Sequence, residues 1–468
     1  MEAKVPEVVR ADTMPADAAR VPVAIVGAGA CGLTAALSLA DLGVECVVLE
    51  RDASPTGSTG LSSGFIPAPG TRVQKARGVD DSVASFAADI QAKAHGTAAA
   101  HLVEAYAGAI GPALDSLAQR HGLELELLEG FLYPGHSALR MHAVPERTGA
   151  ALMTRLHRAA DAAGITVVTN ALVRELWLDT AGRALGVGYA RPDGAVERVA
   201  CDALLLACNG FGGNRELVRD LLPEMSDATF AGHAGNDGTA ILWGRSLGAH
   251  LADLGGYQGH GSWAVPQGIL VTWALMTEGG IQVNSRGQRF HDETQGYSEA
   301  AVQVLAQPGG VAWNVFDKRL LDFAQQFPDV REAQTASAIR RAGDVQSLAA
   351  LIGCDADALA ATLAGVREGE VAPDGRRFSR SLAAPYLAIK VTGALFHTQG
   401  GLDIDAHCRV LREDGTTWPN LLAAGGAARG VSGNAVWGYL SGNGLLSAVA
   451  GGAIAARTAA AHVAAKEK

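Results

Sequence analysis

Three glycines, Gly27, Gly29 and Gly32, stand at the spacing Gly-x-Gly-x-x-Gly with Ala30 and Cys31 between the last two, and Glu50 follows further along the chain. The chemistry this set can do is recognition of a diphosphate and a sugar. The first glycine permits a tight turn, and the second removes the side chain that would hold a diphosphate off the backbone. The third lets a helix lie close to a strand, and the carboxylate accepts from a ribose 2′-hydroxyl. A plain tight turn between strand and helix is the competing reading, and the surrounding elements decide between them. An apolar run at residues 21–26 enters the glycines, a helical pattern fills residues 30–42, and a second apolar run at residues 44–49 delivers Glu50. That order puts unpaired helix N–H groups where an anion can meet them, so an adenine dinucleotide is expected. An acidic acceptor repels a 2′-phosphate, which disfavours NADP and leaves FAD and NAD.

The 468 residues suffice for two or three domains, and 58 glycines with 48% hydrophobic residues suit a loop-rich α/β protein with a large core. A net charge of −10 argues against nucleic acid or an anionic membrane as partner. Cys31, Cys46, Cys201, Cys208, Cys354 and Cys408 form no C-x-x-C pair and no haem-attachment motif, which fits a reducing cytoplasm and no metal site. Residues 1–20 are polar and alanine-rich, so a flexible segment is expected there and not a signal peptide. The apolar stretch at 444–465 is interrupted by Arg457 and His462 and reads as a buried terminal helix, not a membrane span.

Further glycine turns recur beyond the first. A Gly/Ser-rich turn covers residues 56–64, helical patterns cover 81–120 and 148–163, and a meander covers 185–201. The apolar strand at 203–207 ends in Cys208-Asn209-Gly210-Phe211-Gly212, a second place where backbone can meet a cofactor. Asn236-Asp237-Gly238 precedes a short helix, and residues 420–426 repeat the pattern of strand into glycine turn. With no internal repeat and no low-complexity linker, interleaved domains are expected.

Several motifs stand in order along the chain: the glycine fingerprint, Leu206-Ala207-Cys208-Asn209-Gly210-Phe211, Asp237-Gly238, Arg289-Phe290-His291-Asp292-Glu293, His397-Thr398-Gln399-Gly400-Gly401 and Leu422-Ala423-Ala424-Gly425-Gly426. This ordered set resembles the flavoprotein family of soluble fumarate reductases, succinate dehydrogenase flavoprotein subunits and 3-ketosteroid dehydrogenases, from about residue 21 to residue 460. The resemblance implies FAD and an α/β architecture. A Rossmann-type FAD-binding domain would occupy residues 21–256 and 393–468, with an α+β substrate-capping domain inserted at 257–392. It carries cofactor contacts onto Gly27, Gly29, Ala30, Cys31, Gly32, Glu50 and Arg51, and onto Ser58, Thr59, Ser62, Ser63 and Gly64. Val173, Cys208, Asn209, Gly210, Asn236 and Asp237 follow, then His397, Gly425, Gly426, Gly442, Asn443, Leu445 and Leu446. No flavin-attaching histidine stands at residues 58–63, so the resemblance implies non-covalent FAD; Gly426 takes the place of a glutamate that contacts the ribityl chain.

The departures from the reductases carry the functional expectation. Tyr297 stands where they place a proton-donating arginine, Tyr439 where an arginine binds a carboxylate, and Phe396-His397-Thr398 where they have His-His-Thr. A dicarboxylate would be buried here with charges unpaired, at a cost of several kcal/mol, so its reduction is not expected. Tyrosine at both positions resembles the 3-ketosteroid dehydrogenase branch, in which one tyrosine removes a proton beside the ketone and another polarises the carbonyl. A further tyrosine of that branch falls in a segment resembling residues 131–136, making Tyr133 or His136 a third candidate. Desaturation beside a ketone requires loss of an α-proton and transfer of a β-hydride to flavin N5, hence a base and an oxyanion donor. With an ordinary pKa of about 10, a tyrosine base needs a shifted pKa or a hydrogen-bonded partner.

His260 resembles a substrate-side histidine of the reductases, His142 and Arg140 are further polar candidates, and Trp263, Trp273, Phe396 and Trp437 would wall an apolar pocket for a ring. The implied function is an FAD-dependent α,β-dehydrogenase of a cyclic ketone. The substrate is either a 3-ketosteroid or a smaller ring such as a cyclohexanone or an oxocyclohexanecarboxylate, whose carboxylate Arg72, Arg140 or Arg429 would hold. Electrons would leave to a quinone, a separate carrier or oxygen. The alternatives are an ene-reductase running the reverse hydride transfer and a flavin-binding redox sensor without substrate chemistry.

Overall fold

The computed structural model describes residues 6–466. The chain divides into two compact units, one drawn from Met1–Leu221, Gly232–Tyr257 and His397–Lys468, the other from Leu222–Ala231 and Gln258–Phe396.

The first unit is built on a nine-stranded sheet whose middle is the strand Val196–Leu206. Along one edge this strand pairs parallel with Ala19–Val26, which continues through Cys46–Leu49 to Thr166–Val168, also parallel. Its other edge is shared. Residues 196–200 pair antiparallel with the meander strand Ala184–Ala190, and residues 204–206 pair parallel with the end of Thr417–Ala423. Val23, Ala24, Ile25 and Val48 are fully buried, as expected of parallel strands covered on both faces. The register matches Leu206 to Val26 and to Ala423, and Val26 to Leu49. Four carboxyl ends therefore finish side by side, which is where open α/β sheets bind ligands.

Residues 6–20 are not a free segment: Glu7–Arg10 forms a strand parallel to Leu172–Leu178, and the Trp243 Nε1–H donates to the Glu7 carbonyl at 3.1 Å. The pairing partner lies far away in sequence, so composition alone did not show it. The helix Ala30–Asp41 covers the sheet and is itself covered by the final helix, Asn443–Lys466. The close approach of these two helices depends on Gly452, where a Cβ would overlap the Cys31 carbonyl oxygen. Among the described residues only Asn443–Lys466 is by itself long and apolar enough to cross a membrane, and most of that stretch is buried inside the protein. All six cysteines are free thiols.

The second unit has a seven-stranded sheet in which Tyr386–Thr398 is the hub. Val311–Asp317 and Arg340–Ala342 pair antiparallel with it, and Thr229–Phe230 pairs parallel with residues 394–395. These pairings correct the expected boundaries. Residues 222–231 and 393–396 belong to the second unit because strand hydrogen bonds tie them to its sheet.

Candidate functional site

The fingerprint lies at the four strand ends. Gly27 has φ +107° and donates its N–H to the Leu49 carbonyl at 2.8 Å, and a Cβ there would come within 2.5 Å of the Ala207 carbonyl oxygen. A Cβ on Gly32 would overlap the Gly27 carbonyl oxygen, so the helix can start only over a glycine. Gly29 differs: the nearest protein atom to a Cβ built on it is Thr59 Oγ1, at 3.7 Å. Packing places no demand on that position, and the room left beside the helix start suits a diphosphate lying against the backbone. Glu50 is buried, with Oε2 accepting the Ala28 N–H and Oε1 the Asp52 N–H, each at 2.9 Å. Each oxygen keeps a second acceptor site for a ribose hydroxyl.

The Gly/Ser turn joins this site through hydroxyls. Thr59 Oγ1 accepts the Ala30 N–H at 3.2 Å, and Ser58 Oγ accepts from Asn209 Nδ2 at 2.8 Å and from Asn236 Nδ2 at 3.0 Å. Asn209 holds φ +70°, and its Oδ1 lies 2.5 Å from where a Cβ on Gly426 would stand. The buried Asn236 Oδ1 has no protein partner, the kind of orphan acceptor a sugar hydroxyl would satisfy. These features fit FAD. Asp237 accepts from Arg51 and from Arg174, both at 3.3 Å; Arg174 was not anticipated. Ser62 serves its own loop, donating to the Thr59 carbonyl at 2.7 Å and accepting the Gly64 N–H at 3.0 Å, while Gly64 packs on the Thr148–Gly149 backbone. Ser63 is exposed, and Val173 and Cys208 sit in or just after strands, Val173 buried. Gly210 fits under Thr398, whose Oγ1 accepts the Phe211 N–H at 3.2 Å.

At the head of the final helix, a Cβ on Gly444 would meet His397 Nε2 at 2.9 Å and the Tyr439 hydroxyl at 3.7 Å, so these two groups converge there. Their rings stand edge to face, 5.5 Å between centroids. Asn443 Nδ2 donates to Ser432 Oγ at 3.0 Å, Ser432 Oγ donates to Gln399 Oε1 at 3.0 Å, and Gln399 Nε2 lies 3.1 Å from His397 Nδ1. His397 Nδ1 also lies 3.4 Å from the Thr398 carbonyl, but the shorter contact is with an amide nitrogen that can only donate, so Nδ1 is the acceptor and the His397 proton is on Nε2. Burial pulls the His397 pKa down to about 4, so the ring is neutral. Gln399 belonged to a recognised motif, but nothing in the sequence singled out Ser432. Gly425, with φ +61°, packs against Cys31, and Gly442, with φ +89°, packs against Pro67; Leu446 is fully buried and Leu445 nearly so.

Within the second unit, Tyr297 opens the helix Tyr297–Leu305 and stacks on His260, 4.8 Å between centroids and 19° between planes. Phe396 and Trp273 also flank His260, at 6.0 and 5.8 Å, and Trp263 meets Phe396 edge-on at 5.7 Å, so the expected aromatic wall forms from these three. Trp437 belongs to the first unit, is half-exposed and stacks on His95. His260 Nδ1 accepts the Ser262 N–H at 3.1 Å, and burial lowers its pKa to about 3. Glu293 is held between Arg289, at 2.6 Å, and the buried Arg376, and these guanidinium groups keep it ionised against the cost of burial.

Several candidates are committed elsewhere. Both His136 nitrogens are engaged, Nε2 with the Ser441 carbonyl at 3.0 Å and Nδ1 with Arg140 at 3.4 Å, which removes it as a proton acceptor. Tyr133 packs against Phe65 and Phe131. His142 is fully buried between Thr71 Oγ1 and the Arg140 carbonyl, at 2.8 and 2.9 Å. None of the three arginines suits a substrate carboxylate: Arg140 is neutralised by Asp81 and Asp89, Arg429 by Asp253 and Asp403, and Arg72 is exposed.

Four in-register strand ends, a glycine-started helix and a buried ribose-side carboxylate define a dinucleotide-binding protein. The model of the FAD binding domain family matches residues 22–445, and the chain belongs to that family. The probable fumarate reductase Ifc3 of Shewanella frigidimarina (strain NCIMB 400) is 26% identical over 456 residues, spanning 94% of this chain and 75% of that protein. A 4-oxocyclohex-2-ene-1-carboxylate 5-dehydrogenase of Sinomonas cyclohexanicum is 25% identical over 541 residues, 89% of this chain and 90% of that one. The crystal structure of 3-ketosteroid-Δ4-(5α)-dehydrogenase from Rhodococcus jostii RHA1 shares the fold with a TM-score of 0.76 at 24% identity, covering 94% of this chain and 97% of that one. The protein is an FAD-dependent oxidoreductase; fumarate reductases are among the proteins it resembles in sequence, and a ketosteroid dehydrogenase shares its fold.

Proposed function

We propose that the protein desaturates a cyclic ketone beside its carbonyl. The observation that carries this reading is the pairing of the Tyr439 phenol with a neutral His397 at the head of the final helix: uncharged donors suit a developing enolate oxygen and leave a carboxylate unpaired. The commitment of Arg140 and Arg429 to aspartates supports an uncharged ring. Bound FAD supplies the hydride acceptor. Tyr297 is assigned the removal of the α-proton and Tyr439 donation to the enolate oxygen, while Trp263, Trp273 and Phe396 offer apolar surface to a ring. A cyclohexanone-sized substrate draws support from the Sinomonas relative, a 3-ketosteroid from the shared fold. FAD is held without a covalent bond, electrons pass to a quinone, carrier or oxygen, and the free thiols suit the cytoplasm.

Anaerobic mixing of the oxidised protein with a panel of 3-ketosteroids and monocyclic ketones tests the reading, with bleaching of the flavin absorbance expected for at least one ketone. Fumarate oxidising the chemically reduced protein while every ketone leaves the flavin yellow would refute it. The reductase relatives support the reverse direction, and cyclic enones added to the reduced protein test that alternative.

A further inference from the structure

His136 looks in sequence like a spare catalytic base, yet the structure surrounds it with groups that dictate its proton. Arg140 is fully buried and places Nε and Nη2 on Asp81 at 3.0 and 2.9 Å, with Nη1 on Asp89. Its guanidinium lies 4.7 Å over the Phe86 ring, on which His136 also stacks, 6.1 Å between centroids. Arginine can only donate, so the nitrogen that faces it, His136 Nδ1 at 3.4 Å, must be the acceptor. The proton is thereby forced onto Nε2, which donates to the Ser441 carbonyl at 3.0 Å. One residue earlier, Gly135, with φ +83°, seats directly on Leu440, where a Cβ would come within 2.7 Å of Cδ1. The contacted stretch, Leu440-Ser441-Gly442, joins Tyr439 to the first turn of the final helix.

We infer that His136 is a positioning residue: through a tautomer set by Arg140, it clamps the turn that carries Tyr439 and so aims the Tyr439 phenol. The inference rests on the proposed role of Tyr439. The chain of contacts runs from the helix Val83–Lys93, which supplies Asp89 and Phe86, through Arg140 and His136 to the turn. Glutamine places an amide N–H near the reach of Nε2 and can keep the bond to Ser441, whereas phenylalanine keeps the ring stack and loses it.

The test uses the FAD-loaded protein as wild type, His136→Gln and His136→Phe. Without substrate, amide hydrogen exchange of peptides covering 439–446 is expected to rise in His136→Phe and to stay near wild type in His136→Gln. With an active ketone, flavin reduction is expected to slow about 10- to 100-fold in His136→Phe, a part of the 10² to 10³ lost with a whole oxyanion donor. The glutamine variant should remain within about threefold of wild type, because its amide N–H keeps a neutral hydrogen bond to the Ser441 carbonyl in place of the one from Nε2. Unchanged exchange in His136→Phe overturns the inference. So does equal loss of substrate α-proton exchange in both variants with a quiet turn, which would make His136 the base. A loosened turn with undiminished flavin reduction keeps the clamp and refutes the role given to Tyr439. Should His136→Phe fail to fold, ¹⁵N NMR of ring-labelled wild type decides: a neutral ring with its proton on Nε2 at pH 7 is expected, and an Nδ1–H or doubly protonated ring overturns the inference.

Discussion

Gly29 and Gly32 belong to one motif, but their surroundings separate cofactor binding from folding. A methyl on Gly32 would overlap the Gly27 carbonyl oxygen, backbone against backbone, with no flexible side chain to yield. Overpacking of this kind costs about 1–3 kcal/mol or more, and it falls on the strand-to-helix turn of the first unit. A methyl on Gly29 meets nothing nearer than Thr59 Oγ1 at 3.7 Å, and the residue has φ −75°, which alanine adopts freely. As an N-cap change, Gly29→Ala should cost the apoprotein at most about 1 kcal/mol. The same methyl points into the room for the diphosphate and would lift it off the helix N–H groups. Losing two charge-assisted hydrogen bonds at about 1.5–3 kcal/mol each weakens FAD by roughly 10² to 10⁴. Thermal melts of apoprotein and flavin-fluorescence titration with FAD separate the two effects. Gly29→Ala should melt near wild type and bind FAD poorly, whereas Gly32→Ala should melt low. A Gly29→Ala apoprotein that binds FAD with wild-type affinity would refute the placement of the diphosphate.

Tyr297→Phe should abolish solvent exchange of substrate α-protons and slow flavin reduction about 10²- to 10⁴-fold, while Tyr439→Phe should only weaken exchange; wild-type exchange in Tyr297→Phe would place the base elsewhere. Arg376→Met removes one of two cations from the fully buried Glu293 and should destabilise the second unit by about 3 kcal/mol, read by chemical denaturation; an unchanged midpoint would show that Arg289 alone suffices. His136 and His397 are held neutral with pKa values near 4, below the ordinary 6.5. An unfolded chain takes up those protons first, so the stability they contribute is complete above pH 6.5 and is lost as pH falls from 6.5 towards 4. Denaturant midpoints at pH 7, 6 and 5 should therefore fall, and a midpoint flat across that range would contradict the burial of both rings.

The fingerprint was legible in sequence because its spacing is local: Gly32 packs on the Gly27 backbone five residues earlier, and a carboxylate stands at the end of the next strand. The aromatic wall of Trp263, Trp273 and Phe396 was legible as a set, while Trp437 belonged elsewhere. The fate of the ionic candidates was not legible. Arg140 meets Asp81 and Asp89, and Arg429 meets Asp253 and Asp403, partners that only the folded topology brings near. A lone arginine in sequence looks available to a substrate until its carboxylates are placed. The same reasoning hid the strand Glu7–Arg10, whose partner Leu172–Leu178 is remote, and the transfer of residues 222–231 to the second unit.

The packing of Asn443–Lys466 on Ala30–Asp41 also sets a timetable for synthesis. The first strand, helix and glycine turn leave the ribosome early, but the helix that covers them is translated after the whole second unit. At typical elongation rates the gap is on the order of tens of seconds. During that interval the side of Ala30–Asp41 that meets the final helix lacks its native cover, and the strand Thr417–Ala423 with the glycine turn after it is not yet made. The second unit, by contrast, has its full sequence as soon as Phe396 emerges. The nascent chain thus carries its nucleotide motif without the neighbouring strand Thr417–Ala423 and without the final helix for most of its synthesis.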